Sequence, residues 1–249
     1  ATVPPHLLKN GNNNNRYVDY DSLIVDVGLP PAEAEQLIQI GDLITLDAPL
    51  IDLGANRVAG KALDDRICVA AVTACLHHLQ RMHHRWGVYA AATGQEESGL
   101  LGAKTAAHVI RPEIAIALDV TFAKQPGAPD EKTSELGAGP AIGIGPNFHP
   151  KLNEKIKATA RRLEIKLQDD LIPGASGTDA WSIQVALMGV PTALLEIPLR
   201  NMHSPVETAD MRDLERLGRL LAEFIADLDA DFLTALMWDD LKTQETPTA

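Results

Sequence analysis

From about residue 53 onward the sequence alternates between segments of helical and of strand-like apolar periodicity, and this alternation constrains the fold more than any other feature. Residues 114–120 and 192–197 read as buried strands, and 86–93, 141–144 and 165–169 as further strands. Between them, 62–82, 100–109, 150–163 and 179–188 carry helical spacing. The last helix is the clearest, with Leu214, Leu217, Leu221, Phe224, Ile225 and Leu228 on one stripe. Such a pattern predicts an α/β fold, a mixed sheet layered with helices. The first part has a different texture. A polar run at 10–15 is followed by a predicted strand at 23–27, a helix at 32–39 opened by Pro30-Pro31, and a second strand at 43–46. Closely spaced strands of this kind predict a small β-rich module over 1–52, with an α/β domain over 53–249.

Composition narrows the function classes. In 249 residues, 45% hydrophobic content allows a sizeable core, and 22% charged residues give no signature of disorder. A formal net charge of -12 repels phosphate backbones, so nucleic acid is not an expected partner. No apolar run is long enough to span a bilayer, so no membrane partner is expected either. The two cysteines, Cys68 and Cys75, fall on one face of the predicted helix 62–82, a poor geometry for a disulfide. They read as packed thiols in a reducing compartment, the cytoplasm.

Three places gather unusual chemistry next to predicted strands, where α/β sheets bind ligands. Asp64 and Asp65 lie in Gly-Lys-Ala-Leu-Asp-Asp-Arg. Acids here complement a helix dipole, but an aspartate can also bridge two metals, one oxygen to each, while Arg66 neutralises its neighbour. Glu96 and Glu97 lie in Thr-Gly-Gln-Glu-Glu-Ser-Gly, after an apolar segment. They read either as a solvated turn or as one metal ligand beside one proton carrier. Asp119 ends the apolar run from Ile114, where an unpaired carboxylate is expensive unless a metal or a hydrogen bond relieves it. A fourth candidate, His203, follows the strand 192–197 and a proline-containing loop. Asp64, Glu97, Asp119 and His203 converge on one sheet edge in this reading, and carboxylates with imidazole suit zinc, cobalt or manganese.

The strings GKALDDR, TGQEESGLLGA, ALDVT, SGTDA and PLRNMHSPVE, in this order, resemble the cytosolic glutamyl-aminopeptidase/TET aminopeptidase family, some of whose members are labelled endoglucanases. PPHL near the start and residues 23–57 also look like its β-rich dimerisation domain, so the resemblance covers almost the whole chain. It implies two divalent metal ions bridged by Asp64. Glu97 and His203 serve one ion, Asp119 serves the other, and Glu96 is the general base. Asp65 and Arg66 correspond to supporting residues, and Asp179 to a position near the active site. The family also has a histidine ligand in a His-x-Asp motif upstream of PPHL. This sequence does not contain it, and the expectation is a fragment of a longer chain.

The resemblance implies hydrolytic removal of N-terminal residues from a peptide substrate, by a cytoplasmic enzyme. The resemblance further implies homo-oligomers, from dimer to dodecamer. The alternatives are a related two-metal deacylase or carboxypeptidase, a glycosidase using paired carboxylates, and a non-catalytic subunit.

Overall fold

The computed structural model describes residues 23–237. The polar run at 10–15 and the tail after Lys242 lie outside these residues. The chain divides into two compact units, 1–45 and 46–249.

In the described part of the first unit, α1 (Pro31–Leu37) carries proline in its first turn, as expected, and ends at an extended Ile38. The expected strands at 23–27 and 43–46 do not form. Their residues find no ladder partner among the described residues, and side chains such as Leu23 (53% exposed) and Ile44 (75%) face outward. Apolar β-branched composition makes a strand only where a neighbour supplies the ladder.

The second unit runs β1 (Ile51–Gly54), β2 (Arg57–Gly60), α2 (Leu63–Leu79), α3 (Leu101–Ile110), β3 (Ala115–Phe122), β4 (Ala141–Ile144), α4 (Pro150–Arg162), β5 (Gln168–Leu171), α5 (Asp179–Ile183), β6 (Thr192–Leu199), β7 (Glu207–Asp210), α6 (Met211–Ala226) and α7 (Phe232–Leu236). One sheet has the order β3-β6-β4-β5. In it β6 runs parallel to β3 and antiparallel to β4, so the sheet is mixed. All eight residues of β6 are buried, as a central strand covered on both faces requires.

The other sheet, β1-β2-β7, is antiparallel throughout. Its strands have four residues each, too few to show a period in the sequence. β1 and β2 are joined by Ala55 and Asn56, both with positive φ (51° and 66°), as a tight two-residue hairpin requires.

The predicted stripe of α6 is buried against α2: Leu217 is fully inaccessible, and Phe224 and Leu221 are 2% and 5% exposed. Each such leucine contributes about 1.5–3 kcal/mol. Gly218 sets how closely the two helices approach, because a Cβ there would stand 2.8 Å from Cβ of Ala74. Asp210 caps α6, its carboxylate accepting from the Arg212 amide at 3.0 Å.

Three predicted elements change. Residues 86–93 are not a strand; Val88 packs on the core while Tyr89 is 74% exposed, and no described strand pairs with them. The helix predicted over 179–188 stops at Ile183, and Leu187 and Gly189 beyond it take left-handed φ. The strand predicted at 165–169 forms later, at β5.

Candidate active site

The site is built where the two sheets and α2 meet. β2 delivers the chain into Gly60 and on to Asp64 and Asp65. These residues precede the regular part of α2 rather than belonging to it: their backbones are non-helical, at φ -80°, ψ 105° and φ -119°, ψ 38°, and a cis peptide joins them. β3 carries Asp119 three residues before its end, so this aspartate lies inside the strand instead of terminating it. His203 sits at φ 61° in the loop between β6 and β7.

Glu96 and Glu97 are presented by a tight loop ahead of α3. The Gly99 and Leu100 amides both donate to the Glu96 carbonyl, at 3.0 and 2.9 Å, and the Gly102 amide donates to the Gly94 carbonyl. Gly102 has to be glycine, because a Cβ would fall 2.3 Å from that carbonyl oxygen.

These elements bring the residues singled out in the sequence together. Nε2 of His203 lies 3.1 Å from Oδ2 of Asp64 and 3.5 Å from Oε2 of Glu97. Ligand atoms of Asp64, Glu97 and His203 all fall within 4.8 Å of one another, and so do those of Asp64, Asp65 and Asp119. Asp64 belongs to both groups.

The electrostatics are those of crowded, partly desolvated acids. Burial first, then repulsion from Glu97, raises Asp64 to about 6. Burial raises Asp65 and Asp119 to about 8, with repulsion from Asp64 adding to the first and repulsion from Asp65 to the second. Glu96 rises to about 7, through burial and then repulsion from Asp179, Glu97 and Asp64. Oδ1 of Asp65 and Oε1 of Glu96 are buried without a hydrogen-bond partner among the described residues. Divalent cations would relieve both the repulsion and these unmet oxygens, and an oxygen-rich donor set with one imidazole suits zinc, cobalt or manganese. The residues present therefore fit such ions.

Some roles differ from expectation. Arg66 is exposed, and Asp65 is bonded to Cys68 instead. Cys68 and Cys75 are free and buried, the Cys68 thiol donating to the Asp119 carbonyl at 3.1 Å. Asp179 accepts from the Thr93 hydroxyl at 2.5 Å, within electrostatic reach of Glu96.

The chain matches the model of the M42 glutamyl aminopeptidases over residues 1–220. It belongs to the M42 glutamyl aminopeptidase family. A lysyl aminopeptidase from Pyrococcus furiosus is 41% identical over 234 residues, covering 92% of this chain and 67% of that protein. A TET aminopeptidase from a marine sediment Thaumarchaeota archaeon superimposes with a TM-score of 0.86 at 30% identity, over 94% of this chain and 68% of that one. The Pyrococcus horikoshii TET1 peptidase, which can assemble into a tetrahedron or a large octahedral shell, superimposes with a TM-score of 0.76 at 29% identity, over 91% of this chain and 67% of that one. The chain thus spans about two thirds of the length of these M42 relatives.

Two acids near this M42 site escaped the sequence reading. Glu207 ends the quoted motif PLRNMHSPVE, yet nothing in its spacing marks it as a partner of Asp64. Glu196 is 3% exposed and pairs in register with Asp119. Burial, then Asp170, pushes it well above the carboxylate range, and the Thr121 hydroxyl donates to that Asp170 at 2.6 Å. A lone glutamate in the apolar string Thr-Ala-Leu-Leu-Glu-Ile-Pro-Leu was the available signal.

Proposed function

We propose that this chain carries the catalytic machinery of a metal-dependent aminopeptidase that removes N-terminal residues from peptides. The observation that carries the reading is the double membership of Asp64, which lies within 4.8 Å of ligand atoms in two separate donor groups. Asp64 would be shared between divalent ions, zinc or cobalt, with manganese also accommodated. Glu97 and His203 would hold one ion and Asp119 the other, where Asp65 offers an additional donor. When bound, the pair of ions acidifies a water and polarises the scissile carbonyl.

The chain's own residues move the protons and orient the reactants. Glu96 is half-buried beside both groups, with one oxygen unbonded, and is raised to about 7. This suits a group that accepts a proton from water and returns it to the leaving amine near neutral pH. The Thr93–Asp179 pair fixes a second carboxylate beside Glu96. The surplus of carboxylates at the rim favours a substrate that presents a free ammonium, the mark of a peptide's N-terminal end.

The exposed apolar residues of the first unit and the assembly described for the TET1 peptidase support residues 1–52 as part of a dimerisation domain, 53–249 as the catalytic domain, and a homo-oligomer of the whole. Buried free thiols support the cytoplasm. Among the described residues no helix is long and apolar enough to cross a membrane.

The test compares peptides with free and with N-acylated termini, before and after chelation and after return of zinc or cobalt. The proposal expects cleavage of free-amine peptides alone, abolished by chelator and restored by metal. Preferential cleavage of acylated peptides indicates the deacylase alternative, and chelator-resistant turnover removes metal from the mechanism.

A further inference from the structure

The two arms of the site are joined by a residue that belongs to neither donor group. Glu207 opens β7, in register with Gly60 of β2, and is 2% exposed. Its Oε2 accepts from the backbone amide of Asp64 at 3.0 Å, and its Oε1 accepts from the backbone amide of His203 at 2.8 Å. One buried carboxylate thus spends both oxygens on the main chain of two residues whose side chains meet at 3.1 Å.

Of the two backbones, that of His203 needs holding. Asp64 is non-helical just ahead of a helix, and His203 has a φ of 61°. A left-handed non-glycine residue is disfavoured unless its surroundings fix it. The His203 side chain is 64% exposed, so packing does little to fix the imidazole. The hydrogen bond that the His203 amide donates to Glu207 holds its main chain instead, and the β2–β7 ladder fixes Glu207.

We infer that Glu207 is a positioning residue: it clamps the main chain of Asp64 and His203 so that their side chains present one preformed metal site. The inference rests on the functional reading above. It predicts that losing the clamp weakens metal binding more than it weakens the fold. In Glu207→Gln the amide nitrogen must face a backbone N–H, so one of the two bonds is lost. Groups that orient metal ligands typically account for about 10- to 100-fold in affinity or activity.

Asp213 supplies a matched control. It is equally buried and its carboxylate also accepts two backbone amides, those of Gly137 and Gly139 at 2.7 and 2.8 Å, beside a longer contact of 3.4 Å from Arg216, but these belong to a different part of the fold. Asp213→Asn therefore imposes a similar loss of bonding away from the metal site.

Cobalt affinity is measured by titration on the full-length wild-type protein and on both variants, with thermal unfolding of the metal-free forms alongside. Glu207→Gln should weaken cobalt binding about 10- to 100-fold, whereas Asp213→Asn should lower the melting temperature and leave the affinity of the folded protein unchanged. Amide hydrogen exchange provides a second readout on the wild type, independent of any variant's folding. The amides of residues 64 and 203 should be protected together, and in Glu207→Gln they should lose protection together. Unchanged cobalt affinity in Glu207→Gln, or a His203 amide that exchanges as fast as its exposed loop neighbours, overturns the inference. A wild-type protein that takes up no cobalt refutes the functional reading as well.

Discussion

Nε2 of His203 stands 3.1 Å from Oδ2 of Asp64, although the first residue follows the last strand of the mixed sheet and the second follows the β1–β2 hairpin. That approach makes Asp64 the common member of two donor groups. Replacing it should be more damaging than replacing any other donor. Asp64→Asn is expected to lower occupancy of both ions in elemental analysis, while His203→Ala lowers one selectively. Equal, partial loss in the two variants would contradict a shared aspartate.

Glu96 is expected to act on protons and not to hold the metal. Glu96→Gln should retain metal and lose about 10²- to 10⁴-fold in kcat. Glu96 is raised to about 7 in the metal-free site, and nearby cations favour its ionised form and bring that value down. A base works deprotonated, so kcat/KM should rise with pH along a limb lying at or below about 7. Near-wild-type turnover in the glutamine variant would remove Glu96 from the mechanism.

The metal-free protein should be less stable at alkaline pH. Asp65 and Asp119 have ordinary values of 3.8 and are raised to about 8 in the fold. The folded state therefore binds more protons than the unfolded state between those limits, and stability falls as pH rises through them. Thermal unfolding in chelator should show a midpoint that declines from pH 5 to pH 8, flattened in Asp119→Asn. Cobalt binds the deprotonated carboxylates, so the stabilisation it adds should grow over the same range. A chelated protein whose stability rises toward pH 8 would contradict these assignments.

The α2–α6 contact sets the frame on which the site is mounted. Gly218→Ala places a methyl 2.8 Å from Cβ of Ala74 and 3.0 Å from the Ala71 carbonyl. Overpacking of this kind typically costs about 1–3 kcal/mol. Urea unfolding should register that loss, with metal content per folded protein unchanged.

Much of this was legible in the sequence because it depends on periodicity and on short strings. The stripe of α6, the buried run of β6 and the strand β4 were readable, since each element's burial is written into its own residues. The gathering of Asp64, Glu97, Asp119 and His203 was readable from acids placed next to apolar runs. What escaped depends on partners remote in sequence. β2 and β7 exist because they pair with each other, and four residues carry no period of their own. Residues 23–27 and 86–93 have strand composition but no described neighbour to pair with. Asp65 joins the Asp119 group, and Glu207 holds two backbone amides, through distances that no local pattern encodes.

The central claim is tested most directly by anomalous diffraction from crystals of the cobalt-loaded, full-length protein. The account predicts two cobalt peaks flanking the Asp64 carboxylate, one contacted by Glu97 and His203 and the other by Asp119. A single peak, or peaks that Asp64 does not touch, would contradict it.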